Sequence, residues 1–274
     1  MSASLFNLEE SVAVVTGGYG VLGSAIAEGL VSAGASVALL GRNREAAEEK
    51  AAELRERSPA GAKVTVLTAD VTDEVTLRSA CDDLLREFGR IDILINAAGG
   101  NVAGARTDDR PIFDLPLDAF DEVVSLNLHG TVYPTLVFGE AMAERGRGSI
   151  VNISSMASTQ AISGVLGYSV AKAGIDNFTR WMAVDLARRF GDGLRVNAIA
   201  PGFFITKQNK DVLLNADGSY TQRSKAVIGR TPMGRFGDPS ELVGTVVWLC
   251  SDASAFVTGT VIPVDGGFSA FSGV

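Results

Sequence analysis

Short apolar, β-branched runs alternate along this chain with stretches whose apolar residues recur every three or four positions. The runs at 12–15, 36–40, 63–68, 91–95, 148–154, 194–200 and 261–264 predict buried strands. Leu22, Ile26 and Leu30 trace one face of a helix. Val75, Leu84, Leu85 and Phe88 trace a second, and Ile175, Phe178, Met182 and Leu186 a third. Stop and start signals agree with this division. Gly34 and Gly89 end helices, Thr72 and Asp73 cap the start of one, and Asp238-Pro239-Ser240-Glu241 combines a cap, a first-turn proline and a third-position acid. Pro134, inside a helical pattern over 120–142, predicts a kink or a break there. Strand and helix in strict alternation predict one α/β domain, a doubly wound parallel sheet with helices on both faces. Residues 203–235 interrupt the rhythm. They are polar, punctuated by glycine, and follow the carboxyl end of a strand, which reads as a substrate lid.

Composition narrows the function. With 274 residues, 46% hydrophobic and 20% charged, the chain can bury one large core. Its net charge of −8 and lack of a basic cluster exclude nucleic acid as a partner and disfavour an anionic membrane surface. No apolar run reaches the length of a membrane span. Residues 1–10 lack a basic segment followed by an apolar one, so the expected location is the cytoplasm. Cys81 and Cys250 stand far apart in helical patterns and are expected in the core. His129 is the single histidine. That excludes a Ser-His-Asp triad and any two-histidine metal site, and no metal is expected.

The candidate chemistry lies at the carboxyl ends of the strands. After the first strand comes Thr16, then Gly17, and then Gly18-Tyr19-Gly20-Val21-Leu22-Gly23 leads into a helix. Strand, glycine turn and helix in that order suit a pyrophosphate, because the backbone approaches closely and the helix start presents free N–H groups. The second strand ends in Gly41-Arg42 and carries no acid to hold an adenosine ribose. A guanidinium there suits a 2′-phosphate, although Arg42 could simply open the next helix. NADP(H) is therefore favoured, with NAD(H) as the other possibility. Tyr168 and Lys172 are four apart on a helix and share a face. A lysine cation beside a phenol pulls its pKa down and suits it to proton transfer at an oxygen. Asn101 and Arg106 in one polar loop, and Lys207, Gln208, Asn209 and Arg223 in the lid, could border a substrate.

Taken together these features resemble the short-chain dehydrogenase/reductase family over essentially the whole chain. They are Thr16 with the glycine loop, Asp70-Val71, Asn96-Ala97-Ala98-Gly99, Asn127, Ser155, Tyr168-x-x-x-Lys172 and Pro201-Gly202. The resemblance implies a Rossmann-type fold, a nicotinamide dinucleotide and the interconversion of a ketone and a secondary alcohol. It implies Tyr168 as the general acid or base, Lys172 as its partner and ribose ligand, and Ser155 on the substrate oxygen. Asn127 would hold a water as a proton relay. Asp70 and Val71 would flank the adenine, Asn96 would steady the central strand, and Thr206 would meet the carboxamide. The family's loop is T-G-x-x-x-G-x-G, and here Val21 stands at its middle glycine.

A narrower resemblance, in Asn96-Ala97-Ala98-Gly99-Gly100-Asn101, Ala200-Pro201-Gly202-Phe203-Phe204, the stretch 231–237 and the tail from Asp265, is to bacterial D-mannonate oxidoreductases (fructuronate reductases). It implies a sugar acid as the small-molecule substrate, with Asn101, Ser155, Lys207 and Arg223 around it. The alternatives are reduction of a 3-oxoacyl thioester on a carrier protein and a catalytically silent dinucleotide sensor. A homo-tetramer is expected by analogy with the family.

Overall fold

The structure is a computed structural model and describes residues 3–59, 61–108, 110–206 and 209–273. Its first half runs β1 (Val12–Thr16), α1 (Val21–Ser32), β2 (Ser36–Gly41), α2 (Arg44–Arg57), β3 (Val64–Thr68), α3 (Glu74–Phe88) and β4 (Ile93–Asn96). Then come α4 (Leu117–Val124), a π-turn (Ser125–His129), α5 (Gly130–Arg145), β5 (Gly148–Ile153), α6 (Leu166–Phe190) and β6 (Leu194–Pro201). Two short helices, α7 (Lys210–Leu213) and α8 (Gln222–Arg230), precede α9 (Val243–Cys250) and β7 (Val261–Val264). The strands form one sheet in the order β3-β2-β1-β4-β5-β6-β7, each pair parallel. This is the single-domain, doubly wound α/β sheet that the alternation predicts.

Period-two alternation builds both faces. Val12, Val14, Ala38, Leu40 and Leu94 face a core closed by α3, α5 and α6. Ala13, Val15, Val37, Leu39, Ile93 and Ile95 face the opposite core, closed by α1, α2 and α9. Strands buried on both faces must be apolar at every position, which is why they read as continuous runs. The caps behave as their sequences suggest. Asp73 accepts the Val75 amide, Gly89 closes α3 in the left-handed region, and Asp238 with Glu241 forms a capping box ahead of α9.

Two expectations change. Pro134 neither breaks nor ends α5. It sits one turn into the helix, where it forfeits only the bond to the Gly130 carbonyl. The irregularity falls earlier, at the π-turn that carries Asn127. Residues 203–235 are also more than a polar loop. Leu213, Val227 and Phe236 are buried together, with Phe203, Ile205, Val212 and Ile228 packed around them. The amphipathic α7 and α8 thus close a small apolar cluster of their own over the carboxyl edge of the sheet. Lys207 and Gln208 lie outside the described residues.

The sheet order reverses between β1 and β4, so a crevice opens where β2 and β4 diverge from β1. Ligands of open α/β sheets bind at such a point.

Candidate active site

A polar line crosses the sheet at its carboxyl end. Thr16 is in register with Asn96, and Asn96 with Asn152. The Thr16 hydroxyl accepts the amides of Ala97 and Ala98, both at 3.0 Å. Asn96 Nδ2 donates to Asn152 Oδ1 (2.8 Å) and Thr135 Oγ1 (2.9 Å), and Asn152 Nδ2 donates to Thr179 Oγ1 (2.9 Å). These side chains tie β1, β4, β5, α5 and α6 into one network below the crevice. Asn96 thus steadies the central strand, as the resemblance implies. Its Oδ1 has no partner among the described residues. A buried orphan acceptor of this kind is a seat for a fixed water.

The glycine turn lies directly above. Gly17 has φ +64° and is followed by Gly18 under the Leu39 side chain. A Cβ on Gly23 would lie 2.3 Å from the Gly17 carbonyl oxygen. The turn therefore closes on Gly17 and Gly23, while Gly20 becomes the N-cap of α1 and Val21 its first residue. Val21, at the family's middle glycine, lines the crevice as the first residue of the helix. A backbone this close, with helix N–H groups opening into a crevice, fits a pyrophosphate. Gly17, Tyr19, Gly20, Val21, Leu22 and Gly23 all line the crevice.

The adenosine end is occupied differently from the expectation. Tyr19 lies over Gly41, where any Cβ would meet its ring at 2.3 Å, and its hydroxyl accepts the Asn43 amide (3.2 Å). Arg42 is largely exposed and faces Asp70 at 3.6 Å. Burial pushes the Asp70 carboxyl up, but the Thr72 amide and hydroxyl, with Arg42, outweigh it and leave the group below its ordinary value. Val71 is buried against Gly130. Arg42, Asp70 and Val71 thus stand together at the strand ends, beside the crevice rather than in its wall.

Ser155, Tyr168 and Lys172 meet at the other end. Ser155 follows β5, and its hydroxyl accepts the Ala157 amide (3.1 Å). Tyr168 is in the first turn of α6 and Lys172 one turn later. The Lys172 ammonium donates to the Ile153 carbonyl (2.6 Å) and sits 5.4 Å from the Tyr168 ring centroid. The expected depression of the Tyr168 pKa is not what this geometry produces. Burial pushes the phenol up, and the hydrogen bond with Ser155 offsets this only in part. The physical reason is that the ammonium lies over the ring and is engaged by a carbonyl. Lys172 itself is pulled by burial to about 8, against the opposing charge of Asp176. At neutral pH the site therefore holds a neutral phenol beside a cation, which is an acid poised to protonate an oxygen. An oxygen accepting from both Ser155 and Tyr168 would replace the bond between the two hydroxyls.

Asn127 is committed to the backbone. Its Oδ1 accepts the Gly100 amide (3.0 Å), and its Nδ2 donates to the carbonyls of Gly100 (2.7 Å) and Val123 (2.8 Å). It holds the loop after β4 against Lys172, and Gly99 is glycine because a Cβ there would meet Asn127 Oδ1 at 2.7 Å. Asn101, Pro201, Gly202 and Thr206 line the crevice. Thr206 donates its amide to Asn209 Oδ1 (2.7 Å), and Gly202 lies against Asp265.

Charged residues gather at the mouth. Arg106 donates through Nε and Nη2 to Asp108 (2.8 and 2.5 Å). Arg223, from α8, donates to Asp108 (3.2 Å), Ser163 Oγ (3.2 Å) and the Ser163 carbonyl (3.1 Å). Gly164 makes room, since a Cβ there would lie 2.3 Å from Asp108 Oδ1. Arg223 is therefore at the crevice, as expected, but both of its terminal nitrogens are already engaged. Lys207 lies outside the described residues. Sequence reasoning placed Asp108 only in a polar loop that could border a substrate or be solvated, and it missed Ser163 and Asp176. Of these, Asp176 was legible, being a carboxylate four residues after Lys172.

The family model described as enoyl-(acyl carrier protein) reductase matches residues 20–269. A curated relative, the uncharacterized oxidoreductase UxuB of Bacillus subtilis (strain 168), is 46% identical, with 98% of each chain covered. The chain belongs to the short-chain dehydrogenase/reductase family. Among solved members is a candidate D-mannonate oxidoreductase from Haemophilus influenzae with bound NAD, 40% identical, TM-score 0.91, with 100% of each chain covered. Another is a gluconate 5-dehydrogenase from Burkholderia cenocepacia J2315 in complex with NADP and tartrate, 31% identical, TM-score 0.88, covering 98% of this chain and 99% of that one. As a member of this family the chain is an NAD(P)-dependent oxidoreductase, and no helix among the described residues is long and apolar enough to cross a membrane. When bound, the nicotinamide supplies or accepts the hydride. Ser155 and Tyr168 line one end of the crevice, where an entering oxygen could accept from both hydroxyls.

Tyr168→Phe keeps the ring and removes the exchangeable proton. Turnover should fall at least 10²-fold while dinucleotide affinity, read by fluorescence titration, stays within a factor of about three. Activity within about tenfold of wild type would remove Tyr168 from this role.

Proposed function

We propose that this enzyme interconverts the ketone and the secondary alcohol of a sugar acid, of the D-fructuronate and D-mannonate type. The observation that carries the reading is the mouth of the crevice. Arg106 and Arg223 share the one carboxylate of Asp108, and all three line the same crevice as Ser155 and Tyr168. Among the described lining residues the charged groups are these three and Lys172, so cations exceed anions where an acidic substrate would enter. Arg106 has Nη1 unspent among the described residues, which makes it the readier partner for a substrate carboxylate. The names of the Haemophilus and Burkholderia relatives, and the hydroxy-diacid tartrate in the latter, agree with this chemistry. Residues 203–235 act as the lid, with Arg223 as its contact across the mouth.

A fatty thioester would need an apolar groove. Met156, Ile162, Val165, Phe203 and Val212 give the crevice apolar wall as well, so what favours an acid over a thioester is the pair of guanidiniums at the mouth. A silent sensor would need no proton donor, whereas Ser155, Tyr168 and Lys172 converge here. For the dinucleotide, Arg42 favours NADP(H), because β2 itself ends in glycine and a largely exposed cation, with Asp70 facing that cation from the end of β3. Leu136 on α5, with Val170, Trp181 and Val184 on α6, exposes an apolar stripe that suits assembly of the expected homo-tetramer.

Steady-state kinetics with fructuronate and the matching uncharged ketose test the substrate. Arg106→Ala and Arg223→Ala should each lower kcat/KM for the acid roughly ten- to hundredfold, and for the neutral sugar much less, since a charge-assisted hydrogen bond is worth about 1.5–3 kcal/mol. Equal activity on acid and neutral sugar would refute carboxylate recognition. Arg42→Leu should cut the NADPH-to-NADH efficiency ratio by about tenfold or more. A wild type that already prefers NADH would rule the assignment of Arg42 out. Light scattering should report four chains per particle, and Trp181→Glu should lower that number.

A further inference from the structure

Asp176 is a buried carboxylate. It is 4% exposed on α6, one turn beyond Lys172, which is one turn beyond Tyr168. Residues four apart on a helix share a face, so phenol, ammonium and carboxylate form a ladder. Asp176 Oδ1 accepts the Ser154 hydroxyl. Ser154 in turn stands between Ile153, whose carbonyl takes the Lys172 ammonium, and Ser155. A carboxylate away from water needs both hydrogen bonds and an opposite charge. Arg180, the next cation along α6, is exposed, which leaves Lys172 as the buried one.

The surroundings of Lys172 point the same way. It faces the Ile153 carbonyl at the end of β5, Gly99 beside Asn127 on the far side, and Tyr168 and Asp176 on its own helix. Asp176 is the carboxylate of that set. We infer that Asp176 is a positioning residue of the active site. It acts on the reacting oxygen through Lys172, as the counter-charge of its ammonium, and through Ser154, as the anchor of the strand end that carries Ser155. Its charge opposes the burial that draws Lys172 down to about 8, and so keeps the cation in place at working pH.

A thermal cycle tests the pairing without a substrate. Melting temperatures at pH 6.5 are compared for wild type, Asp176→Asn, Lys172→Met and the double variant. Asparagine keeps an acceptor for Ser154 and drops only the charge. Asp176→Asn should lower the Tm of wild type, and leave unchanged or raise that of Lys172→Met, where the carboxylate has lost its cation. An equal drop in both backgrounds, or failure to fold in both, overturns the pairing. The pH profile gives a second reading, with fructuronate as the probe. The alkaline limb of kcat/KM should move about one pH unit lower in Asp176→Asn, because loss of a nearby opposite charge eases deprotonation of Lys172. It should stay in place in Ser154→Ala, which keeps the carboxylate. An unmoved limb in Asp176→Asn overturns the inference. If fructuronate is not turned over, only the substrate assignment falls, and the thermal cycle still decides the role of Asp176.

Discussion

A cation buried at the end of a parallel sheet is the constraint around which this molecule is arranged. Lys172 is 4% exposed, so its ammonium has little access to water. An isolated ion in such a place would shed its charge, so each neighbour must return part of what water would have given. The Ile153 carbonyl accepts from it, the Tyr168 ring lies beneath it, and Asp176 faces it along α6. Those demands fix three elements. β5 must end where its carbonyl can reach, α6 must begin far enough ahead of Lys172 to carry Tyr168 in its first turn, and the loop after β4 must close over the far side. Asn127 performs the closing by binding Gly100 at both its amide and its carbonyl.

Most of this order is legible in the chain because it rests on local rules. Alternating apolar runs marked the strands, and the caps at Asp73 and Asp238 marked two helices. The spacing of Ser155, Tyr168 and Lys172 marked three side chains that meet at one end of the crevice. What escaped depends on contacts between distant segments. The position of Lys172 over the Tyr168 ring follows from the reach of one carbonyl on another strand, and spacing along α6 cannot show it. The stacking of Tyr19 on Gly41 joins residues twenty-two positions apart through the turn after β1. The burial within 203–235 was hidden because its apolar residues are scattered among lysines and glycines, and they form a cluster only once α7 and α8 fold back on each other. Asp108 was hidden for a similar reason: a carboxylate in a polar loop looks solvated until two guanidiniums and Gly164 are seen around it.

The two ends of the crevice solve opposite electrostatic problems. At the inner end one cation is kept with as little water as possible. At the mouth, Arg106, Asp108 and Arg223 are each about a third exposed, so water and salt screen them. A charge in that setting can exchange partners cheaply, and this is what recognition of an incoming acid demands. The inner site is stiff and the outer one is exchangeable. Arg223 belongs to α8 while Asp108 and Ser163 belong to loops of the main body, so the exchangeable contacts are also those that join the two.

The π-turn at Ser125–His129 has a consequence for how this region tolerates change in length. A wider turn is equivalent to one extra residue inserted in a helix. Each residue of an α-helix advances the face by about 100°. Without that extra residue α4 and α5 would run on as one regular helix, and everything before the turn would swing by about that angle. Ala119 and Val123, which pack beside Tyr168, would then face elsewhere. Length is thus constrained here as tightly as the identity of Asn127: losing a single position would misalign the packing beside Tyr168.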